Sequence, residues 1–235
     1  NVITLDMGGT STDVGVVVDG LVRYTTEWEI EFGLPVSAPF IDLTTLGAGG
    51  GSIAFANKGG LLQVGPASAG ASPGPACYGQ GGHRPTVTDA NVVLRRLNPE
   101  NFLGGEVKLH PELATQAVDT LSKSLGTSVE ATAAAIVDVA NENIAEAIRQ
   151  MTIGRGLDPR EFSIVAFGGA GPLHATAIAR SLGVKQVIVP PHPGLTSAFG
   201  TLLADIRVDK TWTNIVRSDR LDPGAIDDRL GDLVL

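Results

Sequence analysis

Residues 1–20, NVITLDMGGTSTDVGVVVDG, are the stretch from which the fold is predicted. Val2, Ile3 and Leu5 belong to a short apolar and mostly β-branched run that is typical of a buried strand. A second apolar run follows at 14–18, and apart from Met7 the residues between the two runs are small or polar. The pattern therefore predicts strand, tight turn and strand, with a hairpin tip that carries no bulky side chain.

The tip of this hairpin has two interpretations. Gly8 and Gly9 allow backbone N–H groups to approach an anion closely. Asp6 and Asp13, at the two ends of the tip, are oxygen ligands of the kind that divalent cations prefer. The same residue types also form ordinary turns. From these residues alone, an anion-binding hairpin and a simple turn are equally supported.

The composition restricts the class of protein. Of 235 residues, 43% are hydrophobic and 18% are charged, which predicts a globular protein with a sizeable core. No apolar run approaches the roughly 20 residues of a membrane-spanning helix. The net charge of −8, with scattered basic residues, argues against nucleic-acid binding. A single cysteine, Cys77, excludes an internal disulfide and favours a reducing compartment, so we expect a cytoplasmic location.

Glycine is unusually frequent, with 30 residues, and it is clustered in loops. Residues 47–52, GAGGGS, fit a phosphate-side or substrate-side loop and fit a tight hairpin between strands equally well. Residues 65–85 contain four prolines besides many glycines, which excludes a helix or a central strand. A long loop of this kind in a compact domain is usually functional or packed on itself.

The order of the predicted elements gives the architecture. The whole chain, 1–235, is predicted to have a β-rich part at 1–87, a helical part at 88–160 and an α/β part at 161–216. Long helices are predicted at 111–125 and 128–153, and a short helix near 88–98 with Thr88 or Asp89 as its N-cap. A further strand is predicted at 206–216. This order predicts an α/β fold, a mixed sheet flanked by helices, with ligand groups at the strand ends.

A second glycine turn, Gly168-Gly169-Ala170-Gly171, stands between a predicted strand and a predicted helix. The first N–H groups of a helix are unpaired and carry a partial positive charge, so an anion or a flat polar ring can bind there. Tight packing of the strand on the helix would also require glycines. The spacing differs from the dinucleotide-binding fingerprint.

Taken together, these motifs resemble a known family. The segment DMGGTSTD at 6–13 resembles the phosphate-binding hairpin of the actin, Hsp70 and sugar-kinase superfamily. Within that superfamily, the chain is similar to the hydantoinase/oxoprolinase family, whose hydantoinase A-type subunits are related to the acetone carboxylase beta subunit. The resemblance covers almost all of 1–209, through further stretches at 45–54, 65–79, 86–91, 166–175 and 190–200.

The resemblance implies one lobe of an actin/Hsp70/sugar-kinase-like, or ribonuclease H-like, ATPase fold that binds ATP and Mg²⁺ in a cleft. Asp6 and Asp13 would be catalytic, with Asp6 also holding the metal or a metal-bound water. The hairpin would bind phosphates through the backbone of Gly8 and Gly9 and the hydroxyls of Thr10 and Thr12. The adenosine contact would come from the second glycine turn, Gly168, Gly169, Ala170 and Gly171.

The resemblance also implies an activity and partners. The leading hypothesis is an ATP-dependent hydrolase that opens a hydantoin, 5-oxoproline or related lactam by phosphorylating its carbonyl oxygen. The alternatives are the nucleotide-handling subunit of an ATP-dependent ketone carboxylase and a non-catalytic nucleotide-binding or interaction lobe. The chain opens inside a predicted strand and ends inside a predicted helix. We therefore expect a piece of a longer polypeptide whose partners are an N-terminal lobe, a hydantoinase B-type subunit or domain and a cyclic amide.

Several single residues have an ordinary structural interpretation. We expect His174 to be packed or solvent-facing, Cys77 to be a buried structural thiol, and Asp89 to be a helix cap rather than a ligand. Asp42 is equally consistent with a polar site residue and with a strand-end contact. Glu142 lies on what is predicted to be the solvated face of the longest helix, although it could reach a nucleotide.

Overall fold

The computed structural model describes residues 1–26, 28–29, 33–36, 39–204, 208, 210, 212–213, 215–220 and 222–234. The chain divides into two compact units. The first comprises Asn1–Tyr24 and Ile41–Leu202, and the second comprises Thr25–Phe40 and Leu203–Leu235. All candidate site residues belong to the first unit.

The regular elements are short strands at the front of the chain and longer helices behind them. The strands are β1 (Val2–Met7), β2 (Thr12–Val18), β3 (Leu21–Val22), β4 (Tyr24–Thr25), β5 (Trp28–Glu29), β6 (Pro35–Val36), β7 (Phe40–Ile41), β8 (Leu43–Leu46), β9 (Ser52–Ala56), β10 (Leu62–Ser68), β11 (Ser163–Phe167) and β12 (Gln186–Ile188). The helices are α1 (Val87–Val93), α2 (Pro111–Leu125), α3 (Val129–Thr152), α4 (Gly171–Leu182), α5 (Thr196–Leu203) and α6 (Pro223–Val234).

The first unit is built on a mixed sheet in the order β12-β11-β1-β2-β3, with β8 also pairing with β2. Strands β12, β11 and β1 are parallel, whereas β2 is antiparallel to β1, β3 and β8. The mixed sheet flanked by helices that the sequence predicts is thereby confirmed. In the β1–β2 register, Asp6 is directly opposite Asp13, and the two strands are joined by the predicted hairpin.

One face of the sheet carries the core. Alternation along β1 buries Ile3, Leu5 and Met7 on the same face, as expected from the period of two in a strand. The long helix α3 packs against this core through Ile144 and Ile148 and also contacts α1, α2 and α4. Burying each such side chain stabilises the fold by about 1.5–3 kcal/mol.

The ends of the long helices follow their local sequence signals. Helix α2 begins with Pro111 in its first turn and ends at Gly126, which adopts a left-handed φ of 68° as a C-terminal glycine commonly does. Helix α3 begins after Ser128, whose hydroxyl accepts a hydrogen bond from the Ala131 N–H group at 3.2 Å. The predicted helices at 111–125 and 128–153 are therefore confirmed to within a residue.

The start of α1 corrects the sequence prediction. Its N-cap is Thr86, not Thr88 or Asp89, and Asp89 closes a capping box from the third helical position. Both the Thr86 hydroxyl and the Asp89 carboxylate bond backbone N–H groups across the helix start. The helix ends at Val93 and is therefore shorter than predicted.

Two strands show local irregularities. The extended segment at 40–46 is interrupted at Asp42, which separates β7 from β8. Strand β10 continues through Pro66 to Ser68, into the loop that was predicted to contain no central strand. This is permitted because β10 pairs only with β9 in a two-stranded sheet, with an irregular register between Val64 and Ser68.

The second unit is smaller. Strand β5 pairs antiparallel with β6, and α6 is the longest helix of this unit. Of the strand predicted at 206–216, residues 206, 207, 209, 211 and 214 lie outside the described residues, and the described ones are not in a strand. Within the described ranges, none of the helices combines the length and apolar character needed to cross a bilayer.

Candidate functional site

The hairpin tip, residues 8–11, presents free backbone donors. The Gly8 N–H group donates to the Ser11 carbonyl at 2.9 Å and closes the turn. In the part of the chain that the structure describes, the N–H groups of Gly9, Thr10 and Ser11 have no protein acceptor. A concave set of unpaired N–H groups is a binding site for an anion, which favours the anion-binding interpretation of the tip.

The glycine-rich segment 47–51 packs directly on this tip. The Gly50 N–H group donates to the Gly8 carbonyl at 3.0 Å. An added Cβ at Gly49 would lie 2.6 Å from the carbonyl carbon of Thr10, so a side chain there would push the tip away. Strand β8 pairs with β2 and β9 with β10, so this segment is not the hairpin turn considered from sequence. It supports the tip instead.

Thr12 does not fit its predicted role as a phosphate donor. Its side chain is fully buried, and its hydroxyl donates to the Ala48 carbonyl in a very short hydrogen bond. The alternation of β2 directs Thr12 and Val14 into the core face. The hydroxyl therefore fastens the hairpin to the 47–51 segment. Thr10, by contrast, is exposed, and its hydroxyl oxygen lies 3.5 Å from that of Ser68.

The second glycine turn begins at Gly168, where glycine is required for two reasons. Its φ of +79° is unfavourable for other residues, and an added Cβ would lie within 2.5 Å of the Met7 carbonyl oxygen. That Cβ would also collide with Oδ1 of Asp6. The Ala170 N–H group donates to the Met7 carbonyl at 2.9 Å, while Gly169 faces open space.

The same turn delivers the start of α4 to the end of β1. An added Cβ at Gly171 would lie 3.2 Å from the Leu5 carbonyl oxygen, so close strand–helix packing explains this glycine. Ala170 is the N-cap residue and provides no side-chain cap. Among the described residues, no side-chain hydrogen bond therefore caps the positive end of the α4 dipole. Packing explains Gly168 and Gly171, whereas an added Cβ at Gly169 would meet no described neighbour within 4 Å.

Asp6 and Asp13 form a pair of carboxylates at the base of the tip. The Asp6 Oδ2 atom accepts a hydrogen bond from the Ser197 hydroxyl at 2.5 Å. The Asp13 Oδ1 atom accepts one from the Thr45 hydroxyl at 2.5 Å. Among the described residues, no group of three or more His, Cys, Asp or Glu side chains is arranged to hold a metal ion.

A cavity of about 380 Å³ opens beside the tip. Of the predicted site residues, the structure brings Gly8, Gly9, Gly169 and Ala170 together in its lining. The others do not line it, namely Asp6, Thr10, Thr12, Asp13, Gly168 and Gly171.

The rest of the cavity wall was not identified from sequence. Tyr78 and Phe102 contribute apolar surface, with ring centroids 5.8 Å apart. Asn91 and His174 contribute buried polar side chains. The aromatic character of the loop at 65–85 was a usable signal for Tyr78. Nothing in the sequence indicates that Phe102 folds back against it.

His174 is packed in the protein interior. Of the two interpretations expected from sequence, packed and solvent-facing, the first is confirmed. It is 1% exposed, its Nδ1 atom lies 2.7 Å from Asn141 Oδ1, and its Nε2 atom lies 3.3 Å from Asn91 Nδ2. Burial, with a smaller contribution from Arg96, lowers the pKa of His174 to about 4. The ring is therefore neutral near pH 7, with Nδ1–H donating to Asn141 and Nε2 accepting from Asn91.

This environment predicts a pH-dependent loss of stability. The folded-state pKa of His174, about 4, lies below its ordinary value of 6.5, so the unfolded chain binds the proton first as the pH falls. His174 therefore destabilises the fold increasingly between pH 6.5 and 4, by about 2 kcal/mol between pH 7 and 5. Urea unfolding at both pH values measures this. The variant His174→Gln should lose that part of the dependence, and an identical dependence in both proteins would contradict the prediction.

Asp89 holds the glycine- and proline-rich loop against α1. It is fully buried, and its carboxylate accepts hydrogen bonds from the N–H groups of Ala76 at 3.2 Å and Cys77 at 2.8 Å. The Thr86 hydroxyl donates to it at 2.7 Å. Burial, followed by the nearby Asp89 charge, raises the pKa of the Cys77 thiol. Cys77 is thus the structural thiol expected, because a protonated buried thiol is a poor nucleophile.

We expect Asp89→Ala to lower the free energy of unfolding by about 3 kcal/mol, because it leaves several buried donors without an acceptor. Chemical denaturation of the two proteins measures the difference. The matched control is Asp138→Ala, at an exposed position of α3, which should change stability by less than about 0.5 kcal/mol. Equal effects of the two substitutions would show that the loop does not depend on Asp89.

Two other acidic residues have structural partners. Asp42 forms a paired ion contact with Arg155, one hydrogen bond of which is 3.0 Å long. Glu142 lies 3.5 Å from Arg149 on the surface of α3. Asp42 is therefore the strand-end contact rather than a site residue, and Glu142 belongs to the solvated face.

Comparisons with known proteins identify the family of the chain. The sequence model of the family described as hydantoinase/oxoprolinase matches residues 1–210. The chain belongs to the hydantoinase/oxoprolinase family. The match contains the hairpin tip, the 47–51 segment, the loop at 65–85 and the second glycine turn, so every part of the candidate site lies inside it.

Members of this family with known functions are similar to the chain. Caprolactamase subunit alpha of Pseudomonas jessenii is 43% identical over 220 residues, which cover 93% of this chain and 32% of that protein. The crystal structure of the ATP-dependent caprolactamase from the same organism has a TM-score of 0.81 and 38% identity, covering 99% of this chain and 34% of that chain. The predicted fold class is borne out by this similarity.

Two further relatives carry other activities. A nucleotide-free structure of acetone carboxylase, described in terms of ATP-dependent acetone carboxylation, has a TM-score of 0.80 and 34% identity over 87% of this chain and 29% of that chain. The 5-oxoprolinase of Saccharomyces cerevisiae is 40% identical over 87% of this chain and 16% of that protein. The chain spans about a third or less of the length of the first curated relatives that it matches.

Proposed function

We propose that this chain is the nucleotide-handling part of an ATP-dependent hydrolase that opens a cyclic amide. The observation that carries the proposal is the hairpin tip, whose Gly9, Thr10 and Ser11 N–H groups are unpaired in the described chain. Gly8 and Gly9 of that tip also line an open cavity. Relatives named as an ATP-dependent caprolactamase and a 5-oxoprolinase support this choice of reaction.

The residues at the tip fit a nucleoside triphosphate and its cation. We assign the β- and γ-phosphates to the free N–H groups around Gly9 and to the Thr10 hydroxyl. Asp6, with Asp13 opposite, is the proposed ligand of Mg²⁺ or of a magnesium-bound water. The cation would neutralise charge on the phosphates. The adenosine is assigned to the side of the cavity formed by Gly169 and Ala170.

The proposed reaction explains why ATP is needed. An amide carbonyl is a poor electrophile, because the nitrogen lone pair is delocalised into it. In the proposed reaction, the carbonyl oxygen forms a bond to the γ-phosphorus, and the bond from that phosphorus to the β–γ bridging oxygen breaks to release ADP. Water then adds to the activated carbon, and the ring C–N bond breaks as the nitrogen takes a proton, which leaves an acyl phosphate. A second water hydrolyses the acyl phosphate, and phosphate and the ring-opened amino acid are released.

The protein's contribution in this scheme is positioning and charge neutralisation. Phosphoryl transfer depends mainly on aligned groups and on donors that point at the transferred charge. The glycine segment at 47–51 fixes the tip through the Gly50 to Gly8 hydrogen bond. The Ser197 and Thr45 hydroxyls orient the carboxylates of Asp6 and Asp13. We also propose that an N-terminal lobe and a hydantoinase B-type subunit or domain complete the site, and that the enzyme is cytoplasmic.

The test is ADP release by the intact protein with Mg²⁺ and one substrate at a time. Caprolactam, hydantoin and 5-oxoproline should each be tried, with ring opening followed by chromatography of the amino-acid product. At least one should stimulate ADP release in proportion to product. The similarity to acetone carboxylase favours a second candidate, so acetone with bicarbonate is the parallel reaction. ADP release with acetone alone among these substrates would replace the first proposal by the second. No stimulation by any of them would refute both.

A further inference from the structure

Asn91 lies in the wall of the cavity with an acceptor that nothing in the described chain satisfies. The residue is 2% exposed, lines the cavity together with Gly8 and Gly9, and its Oδ1 atom has no hydrogen-bond partner among the described residues. Buried polar side-chain atoms are nearly always paired, so an orphaned acceptor in a cavity wall requires an explanation. The geometry supports one explanation, namely that a ligand supplies the hydrogen-bond donor for this oxygen.

The orientation of the Asn91 amide is fixed by its neighbours. Its Nδ2 atom donates to the Val87 carbonyl, one turn earlier in α1, at 3.1 Å, and lies 3.3 Å from His174 Nε2. The reverse orientation would set two acceptor oxygens, those of Asn91 and Val87, against each other. His174 Nδ1 donates to Asn141, so its Nε2 accepts. Both amide hydrogens of Asn91 are therefore used, and the oxygen remains only an acceptor.

We propose, on the basis of the function proposed above, that Asn91 Oδ1 accepts a hydrogen bond from an N–H group on the flat ring of a ligand in this cavity. Asn91 would thus be a specificity-determining residue. The apolar wall formed by Tyr78, Phe102 and Leu173 suits the face of an uncharged ring. Two ligands of the proposed reaction carry such a donor, namely the amino group of adenine and the ring N–H group of a cyclic amide.

The test compares pairs of similar ligands in which one member lacks this donor. Binding of ATP and of purine riboside triphosphate, which lacks the 6-amino group, is measured by calorimetry on the intact protein. Caprolactam and N-methylcaprolactam form the second pair. We expect the donor-bearing member of one pair to bind about 3- to 10-fold more tightly, as for one neutral hydrogen bond. The pair that shows the preference identifies the source of the N–H group.

The variant Asn91→Ala should abolish that preference, so that both members of the pair bind equally. The matched control is Asn143→Ala. Asn143 donates to the Val64 carbonyl at 3.3 Å, on a part of α3 that does not line the cavity, so its replacement should keep the preference. A preference that survives in Asn91→Ala overturns the proposal. If that variant does not fold, the wild-type protein still decides, because equal binding within both pairs also overturns it.

These measurements separate this inference from the proposed function. They report binding and need no turnover. An Asn91-dependent preference in a protein that releases no ADP with any substrate would support the role of Asn91 and refute the reaction. Ring opening by a protein that shows no preference in either pair would support the reaction and refute the role of Asn91.

Discussion

Replacing Asp6 with asparagine is expected to lower the rate of ATP turnover by the intact protein about 100- to 1,000-fold, as removal of one electrostatic group from an active site commonly does. Asparagine keeps the size of the side chain and can still accept the hydrogen bond from the Ser197 hydroxyl. The negative charge opposite Asp13 is lost. Since the proposed role of Asp6 depends on that charge, the free energy of unfolding should change little while catalysis fails. Steady-state ADP release and urea unfolding measure the two effects.

The control for Asp6 is another carboxylate with a partner. Asp158 is paired with Arg160, which lowers the pKa of the Asp158 carboxyl to about 2, and it lies on the surface away from the hairpin tip. The variant Asp158→Asn should turn over ATP at the wild-type rate. If Asp6→Asn does so too, Asp6 has no part in catalysis, and the proposed phosphate site at the hairpin tip would lose its cation ligand.

Gly168→Ala should have the second large effect, here on stability and catalysis together. An alanine at φ +79° is strained, and its Cβ would collide with the Met7 carbonyl oxygen and with Oδ1 of Asp6. Overpacking and the unfavourable φ together should lower the free energy of unfolding by about 2–4 kcal/mol. In the molecules that still fold, the alanine Cβ has to displace the Asp6 carboxylate. The rate of ATP turnover of the folded variant should therefore also fall.

The neighbouring glycine provides the matched control for stability. At Gly169 an added Cβ meets nothing within 4 Å, and its φ is not in the left-handed region. The variant Gly169→Ala should therefore unfold within about 0.5 kcal/mol of wild type. Denaturation of the pair distinguishes the two positions. A similar loss in both would mean that the turn is sensitive to any change, rather than to the contact between Gly168 and Asp6.

The parts of the fold that sequence predicted correctly depend on local signals. Helices α2 and α3 follow from apolar periodicity together with Pro111, Gly126 and Ser128 at their ends. The β1–β2 hairpin follows from two apolar runs around small residues. The start of α1 was misplaced because three possible caps, Thr86, Thr88 and Asp89, stand within four residues. Contacts with the distant Ala76 and Cys77 N–H groups fix the role of Asp89.

The candidate site was predicted in part. Sequence located the two glycine turns, and the structure places Gly8, Gly9, Gly169 and Ala170 around one cavity. The sequence could not show that the Thr12 hydroxyl is used by Ala48, because those residues are 36 positions apart. It left open whether His174 is packed or solvent-facing, because that depends on burial against Asn91 of α1 and Asn141 of α3.

The sequence by itself determined the family, the hairpin with its glycines and acidic residues, and the alternation that buries one face of β1. These are properties of neighbouring residues, and local sterics and periodicity fix them. Only the tertiary structure decided which groups at the tip are free. Among the described residues, Gly9 keeps an unpaired N–H group and Asn91 an unpaired side-chain oxygen, and neither follows from the neighbouring sequence. Whether a polar group is available to a ligand depends on contacts distant in sequence.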